Sequence, residues 1–194
     1  MNTNSISRQN LEWLTSTVHF FRKHFFMIFT LGFIAGIGRV IQLKGFGEIS
    51  PATNIFVEVI IESARLMLIL YILGSASLKM GFNRFAKLFK WGNNRKTVLK
   101  LAFTNLRTKW PVLLLNFVVF LGIAWLINLL IDQLAYQTCL YLTMQNQGII
   151  SSDASEWTII LFFKNLTVIP LTLVFNTLLF FYLTDRLKPQ LTTK

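Results

Sequence analysis

Four stretches of this sequence are both long and almost wholly apolar, and that constrains the fold more than any other feature. A helix needs about 20 mostly apolar residues to cross about 30 Å of hydrocarbon. The stretches at about 25–43, 54–77, 110–131 and 157–184 each meet that length. The first reads FFMIFTLGFIAGIGRVIQL with Arg39 near its end, and the third reads VLLLNFVVFLGIAWLINLLI with no charge before Asp132. The second opens after Ser50-Pro51, where proline suits a first helical turn. The fourth is long enough to tilt and carries Pro170, a kink signal. The 194 residues are 54% hydrophobic and only 14% charged, whereas water-soluble domains average roughly 25% charged. A disordered chain and an ordinary soluble protein are both excluded.

The net charge of +11 matters less than its distribution. The segment before the first stretch holds Arg8, Arg22 and Lys23. The connection 78–109 holds Lys79, Arg84, Lys87, Lys90, Arg95, Lys96, Lys100, Arg107 and Lys109, and the tail holds Arg186, Lys188 and Lys194. These are fifteen of the 19 Lys and Arg. Residues 44 to 53 carry only Lys44 and Glu48, and residues 132 to 156 carry Asp132, Asp153 and Glu156 with no cation. Cytoplasmic connections collect Lys and Arg, so arm, basic loop and tail belong inside and 132–156 outside. That N-in/C-in arrangement requires an even number of spans, and four satisfies it. The expectation is an all-α integral membrane protein of the cytoplasmic (plasma or inner) membrane, forming a single four-helix membrane domain. More than 20 largely polar residues precede the first span, with no cleavage pattern after it, so that span is read as retained.

Three cytoplasmic segments are amphipathic. Leu78, Phe82, Phe85 and Phe89 form an apolar stripe beside Lys79, Asn83, Lys87 and Lys90, and Gly92-Asn93-Asn94 then breaks the helix. Val98, Ala102, Leu106 and Lys109 align on the next segment, and Leu11, Leu14, Val18 and Phe21 on the arm. All three are expected to lie on the inner leaflet, their cations on anionic lipids at about 1 kcal/mol each near the surface. Nucleic acid is the weaker reading of the same belt, because no nucleic-acid motif accompanies Trp91 and the phenylalanines.

Ionisable groups inside the spans are the candidate site. Glu58, Glu62 and Arg65 lie at i, i+4 and i+7, on one helix face. Apolar side chains of this span supply about 5 to 6 kcal/mol of insertion energy and three central charges cost roughly 9, so the charged face must meet other helices or water. Depth matching adds Arg39, Lys164 and Asp132 to an outer layer in which Arg39–Glu58 and Lys164–Glu62 are the expected contacts. Such a layer fixes helix register or lines a path for a polar ligand. Asn116 and Asn176 are expected to hydrogen-bond across helices in the inner half, and Gly32 and Gly36, with Ala35 and Gly38 nearby, to allow close helix packing.

Catalytic patterns are missing: the sequence holds no HExxH, GxSxG, GxxxxGK[ST] or GxGxxG. His19 and His24 read as interfacial surface residues, Gly45-Phe46-Gly47-Glu48 as a turn, and the triplet Asn165-Leu166-Thr167 as part of a span. Cys139 is the lone cysteine, so no internal disulfide and no CxxC site exists. No metal and no cofactor are expected. The chain reads as a non-enzymatic assembly or regulatory subunit, with a protein partner or further copies of itself. The second reading is an oligomeric pore or small transporter that uses the charged layer.

Overall fold

The computed structural model describes residues 11–90 and 94–184. Arg8, the tail cations Arg186, Lys188 and Lys194, most of the expected break at Gly92-Asn93, and the side chains of Phe89, Lys90, Arg95 and Lys96 lie outside the described residues. Among those described, the chain is helical and contains no strand. The helices are α1 (Glu12–Lys23), α2 (Phe25–Gln42), α3 (Pro51–Leu73), α4 (Leu78–Lys90), α5 (Asn94–Thr108), α6 (Trp110–Gln137), α7 (Leu140–Asn146), α8 (Glu156–Leu166) and α9 (Val168–Leu183).

Three of the expected spans are helices long and apolar enough to cross a membrane: Phe25–Gln42, Trp110–Gln137 and Glu156–Leu183, the last formed by α8 and α9. The expected second span is α3, whose 23 residues suffice in length at about 1.5 Å rise each. Its Glu58, Glu62 and Arg65 separate it from the other three in composition.

Helix ends follow local chemistry. The Ser50 hydroxyl accepts the Thr53 amide at 3.1 Å, an N-cap in front of Pro51. At the end of α2 the Lys44 amide donates to Ile41 and that of Gly45 to Val40. At the end of α3 the Ser75 amide donates to Ile72 and that of Ala76 to Tyr71. Both are Schellman closures, and the left-handed position holds Lys44 (φ 60°) and Ser75 (φ 53°) rather than glycine. The glycine beside the second closure has another task. A Cβ on Gly74 would overlap the Ser77 carbonyl and Gly81, and one on Gly81 would overlap the Leu70 carbonyl. Two facing glycines thus let α4 fold back against the end of α3.

The break between α8 and α9 falls at Thr167 (φ −124°, ψ −78°), three residues before Pro170. Proline lacks an amide proton and its ring crowds the carbonyl four residues back, which here is Leu166. The kink expected at Pro170 is therefore displaced to the residues its ring disturbs. The stretch 132–156, expected as an outer loop, begins with the last six residues of α6 and includes α7.

The chain divides into two compact units. One comprises residues of 1–24, 69–122 and 171–194; its core includes Trp13, Phe20, Ile72, Phe120, Val174, Phe175, Leu178 and Phe181. The other comprises 25–68 and 123–170, with Ile28, Ala35, Val57, Ile61, Leu68, Ile159 and Ile160 buried.

In the first unit α1 is docked on protein. The Trp13 indole stacks 4.0 Å from the Phe175 ring and donates to the Phe175 carbonyl at 3.0 Å. The Leu14 amide donates to Asn116 Oδ1 at 3.1 Å. The buried stripe is Trp13, Leu14, Ser16, Thr17 and Phe20, while Val18 is exposed. The arm was expected to turn Leu11, Leu14, Val18 and Phe21 to lipid. The helix instead turns Trp13 and Phe20 inward, because an indole and a phenyl bury more area and the indole N–H finds a carbonyl. In α5 the inward line runs through Asn105, whose amide donates to the Leu183 carbonyl at 2.8 Å, and Leu106 is exposed. Of the register expected there, Val98, Ala102 and Lys109 are half-buried on that line and only Leu106 gives way, to the side chain that satisfies a carbonyl at the end of α9.

Candidate functional site

The second unit gathers the candidate site from α2, α3 and α8. Arg39 and Gln42 lie three residues apart on α2 and face Glu58 of α3. Arg39 Nη1 donates to Glu58 Oε2 at 2.8 Å and Nη2 to Oε1 at 3.2 Å, a two-pronged guanidinium–carboxylate contact. Gln42 closes the triangle, accepting from Arg39 at 2.6 Å and donating to Glu58 at 2.8 Å. One turn further along α3, Glu62 lies 3.8 Å from Arg39 Nη2 and accepts from Arg65 Nη1 at 2.6 Å. Arg65 Nη2 then donates to Asn165 Oδ1 of α8 at 3.0 Å. Asn165 is 1% exposed, and its own amide is held by the Leu161 carbonyl. The cluster contains two guanidiniums and two carboxylates, so it is neutral in total.

Close helix packing makes this reach possible. A Cβ on Gly32 would come within 2.6 Å of the Asn165 carbonyl, and one on Gly36 within 3.0 Å of the Phe162 ring. The small face of α2 is thus filled by α8 of the same chain. A Cβ on Gly38 would similarly meet Ile61 of α3 at 2.6 Å.

Two of the six ionisable residues expected in this layer sit elsewhere. Lys164 does not pair with Glu62; among the described residues its ammonium is placed 6.0 Å from the Trp157 ring centre. Helical side chains lean toward the N-terminus, and Lys164 follows that lean toward the end of α8 where Trp157 stands, as a lysine extending to an interface does. Asp132 forms no ion pair among the described residues. It lines an open depression of about 340 Å³ with Trp125, Asn128, Leu129, Gln133 and Tyr136. Reading depth alone selected Lys164, and the residue that faces the cluster is its neighbour Asn165, rotated by 100°. Gln42 was also missed; its spacing of three from Arg39 is the signal that marks it.

The inner-half asparagines are not paired with each other. Asn116 is fully buried and serves α1, whereas Asn176 is exposed. In the basic belt, Lys79, Lys87 and Lys100 are exposed. Arg84 is turned to the protein, donating to the Leu73 carbonyl at 2.8 Å and the Ser75 hydroxyl at 3.1 Å, so it caps α3. Phe82 of the same helix is 63% exposed, on the stripe expected to meet lipid. Cys139 is free and exposed.

His24 departs from the surface reading. It occupies the single residue between α1 and α2, its Nδ1 lies 3.1 Å from the Tyr71 hydroxyl, and its ring packs 4.6 Å from Phe20. Burial lowers its pKa below the ordinary 6.5, and the nearby Lys23 and His19 lower it further. The folded protein therefore favours neutral His24, while the unfolded chain takes up the proton near pH 6.5. Thermal stability is expected to be level above that pH and to fall as pH drops below it, toward the folded-state pKa. Melting of detergent-purified protein from pH 7.5 to pH 5 should show this slope, and His24→Gln should flatten it.

No family model, curated protein or solved structure matches the chain. The fold and the site together define an all-helical protein with three helices able to cross a membrane and a self-neutralising charged cluster between α2, α3 and α8.

Proposed function

We propose that the chain is a four-span, N-in/C-in integral membrane protein of the cytoplasmic (plasma or inner) membrane, acting as a non-enzymatic assembly or regulatory subunit. The observation that carries this reading is the cluster itself. Its two cations and two anions, with the amides of Gln42 and Asn165, bond mainly to one another. Groups paired in that way set how helices meet, a role that buried polar residues fill in other systems. Neutralisation by Arg39 also makes α3 acceptable as the fourth span, since a paired carboxylate costs far less in hydrocarbon than an isolated one. The exposed Lys79, Lys87 and Lys100, together with the depression lined by His19, Arg22 and Lys23 on α1, suit the phosphates of anionic inner-leaflet lipids. No role for nucleic acid is proposed.

The test has two parts. Reporter tags at Met1, near Asn93 and at Lys194 should all report the cytoplasmic side; opposite sides for any two would refute the topology. Native mass measurement after gentle extraction should find a stoichiometric companion, another protein or further copies, and a solitary monomer would refute the subunit role. One observation favours the pore as a second reading: the Glu58 and Glu62 side chains are 43% and 54% exposed. On that reading, purified protein conducts ions in liposomes and Glu62→Ala alters the current.

A further inference from the structure

We propose that the depression near the C-terminal end of α6 holds the primary ammonium of a phospholipid headgroup, the group that ends phosphatidylethanolamine. This goes beyond the subunit reading and depends only on α6 crossing the membrane, for which it is long and apolar enough. Ile131 and Ala135 of α6 pack inward with Ile159 and Ile160 of α8. One residue further round the helix, about 100°, Asn128, Asp132 and Tyr136 follow one another at one-turn intervals and line the depression of about 340 Å³.

The chemistry of these walls selects the ligand. Asp132 is half-buried and forms no ion pair among the described residues, and residues 132 to 156 contain no Lys or Arg to neutralise it. The Asn128 amide nitrogen donates to the Ala124 carbonyl at 2.9 Å. A carbonyl only accepts, so Oδ1 is the Asn128 atom left for a ligand. Two carboxylate oxygens and that amide oxygen make three acceptors, the number that the three N–H groups of a primary ammonium require. A choline ammonium has no N–H to give, and a headgroup of net negative charge would meet a carboxylate. Tyr136 is 50% exposed and, because helical side chains lean toward the N-terminus, covers the turn that holds Asp132, where its ring favours a cation. The exposed Gln133 and Gln137 also line the depression and bring neutral amide donors for the adjoining phosphate. Toward the middle of the span, Leu129 and the 63% exposed Trp125 continue the same lining as an apolar track for an acyl chain. An interfacial belt of aromatic residues accounts for Tyr136 alone. It leaves an unpaired carboxylate beside hydrocarbon, which is costly until a cation joins it.

Lipid titration tests this directly. Detergent-purified protein is titrated with phosphatidylethanolamine, phosphatidylcholine or the anionic phosphatidylglycerol, and retained lipid is counted by native mass measurement. The expected result is phosphatidylethanolamine held about tenfold more tightly than either other lipid, the factor that one charge-assisted hydrogen bond supplies. Asp132→Asn keeps the shape, removes the charge and should abolish that preference. Asp153→Asn, at an exposed acid of the same connection, changes the net charge equally and should leave it intact. Asn128→Leu removes the third acceptor and should weaken the preference as well, which keeps the test open if Asp132→Asn does not fold. Equal retention of ethanolamine and choline lipids overturns the proposal, and so does an unaltered preference in both Asp132→Asn and Asn128→Leu. Glycerophosphoethanolamine, the same headgroup without acyl chains, should not raise the thermal midpoint at concentrations where the lipid does. An equal rise would assign the site to a free amine and overturn the lipid as its occupant. Neither the reporter-tag positions nor the copy number enters these outcomes, so they separate failure of this site from failure of the subunit role.

Discussion

Gly74→Ala and Gly81→Ala should each prevent the protein from reaching its native fold, or lower its stability by at least about 3 kcal/mol. Overpacking a core with a methyl group typically costs 1–3 kcal/mol where side chains can give way. Here the added carbon meets backbone on both sides: the Ser77 carbonyl and Gly81 in one case, the Leu70 carbonyl in the other. Relief requires opening the corner between α3 and α4, and with it the contact of Arg84 to Leu73 and Ser75. Gly122→Ala is the control, because a Cβ there has no neighbour within 4 Å. It should be neutral or slightly stabilising, by up to about 1 kcal/mol of helix propensity. The measurement is the thermal midpoint and folded yield of detergent-purified protein. Wild-type behaviour of Gly74→Ala would show that α4 does not fold back in this way.

The second large effect is expected at Arg39. Arg39→Met removes the guanidinium that holds Glu58 through two bonds and approaches Glu62, leaving Glu58 with the Gln42 amide alone. With α3 as the proposed fourth span, an uncompensated carboxylate there costs about 3 kcal/mol, and the midpoint should fall accordingly. The double variant Arg39→Met/Glu58→Met should recover most of that loss, because replacing a whole ion pair with apolar groups of similar size is often neutral or better. The difference between single and double variants separates lost charge balance from lost packing. Equal destabilisation of both would place the effect in the packing of Arg39 against α3.

How much of this was readable in advance differs by physical kind. Length and hydropathy placed three helices to within a few residues at most ends, since long apolar runs have few alternatives. The same measure took 54–77 as a fourth span, whereas α3 covers Pro51–Leu73 and is set apart from the other three by Glu58, Glu62 and Arg65. Spacing on one helix found Glu58, Glu62 and Arg65 together, and depth found Arg39. Neither resolves rotation, which is why Lys164 was chosen over Asn165 and Leu106 over Asn105. The polar side chains that turned inward did so to meet carbonyls or guanidiniums on helices more than 70 residues away, and such pairings arise only when the helices have assembled. His24 was missed in the same way: the hydroxyl it meets belongs to Tyr71, 47 residues further on.

The anchoring of α1 bears on how the protein is made. Leu14 stands in the first turn of α1, where an amide has no acceptor within its own helix. Its acceptor is Asn116, and the indole one residue earlier waits for the Phe175 carbonyl, 162 residues away. At 5–20 residues per second, on the order of 10 s of synthesis separates those groups. Of the described helices α1 is therefore made first and seated late, because the carbonyl that holds its indole is translated 162 residues after it.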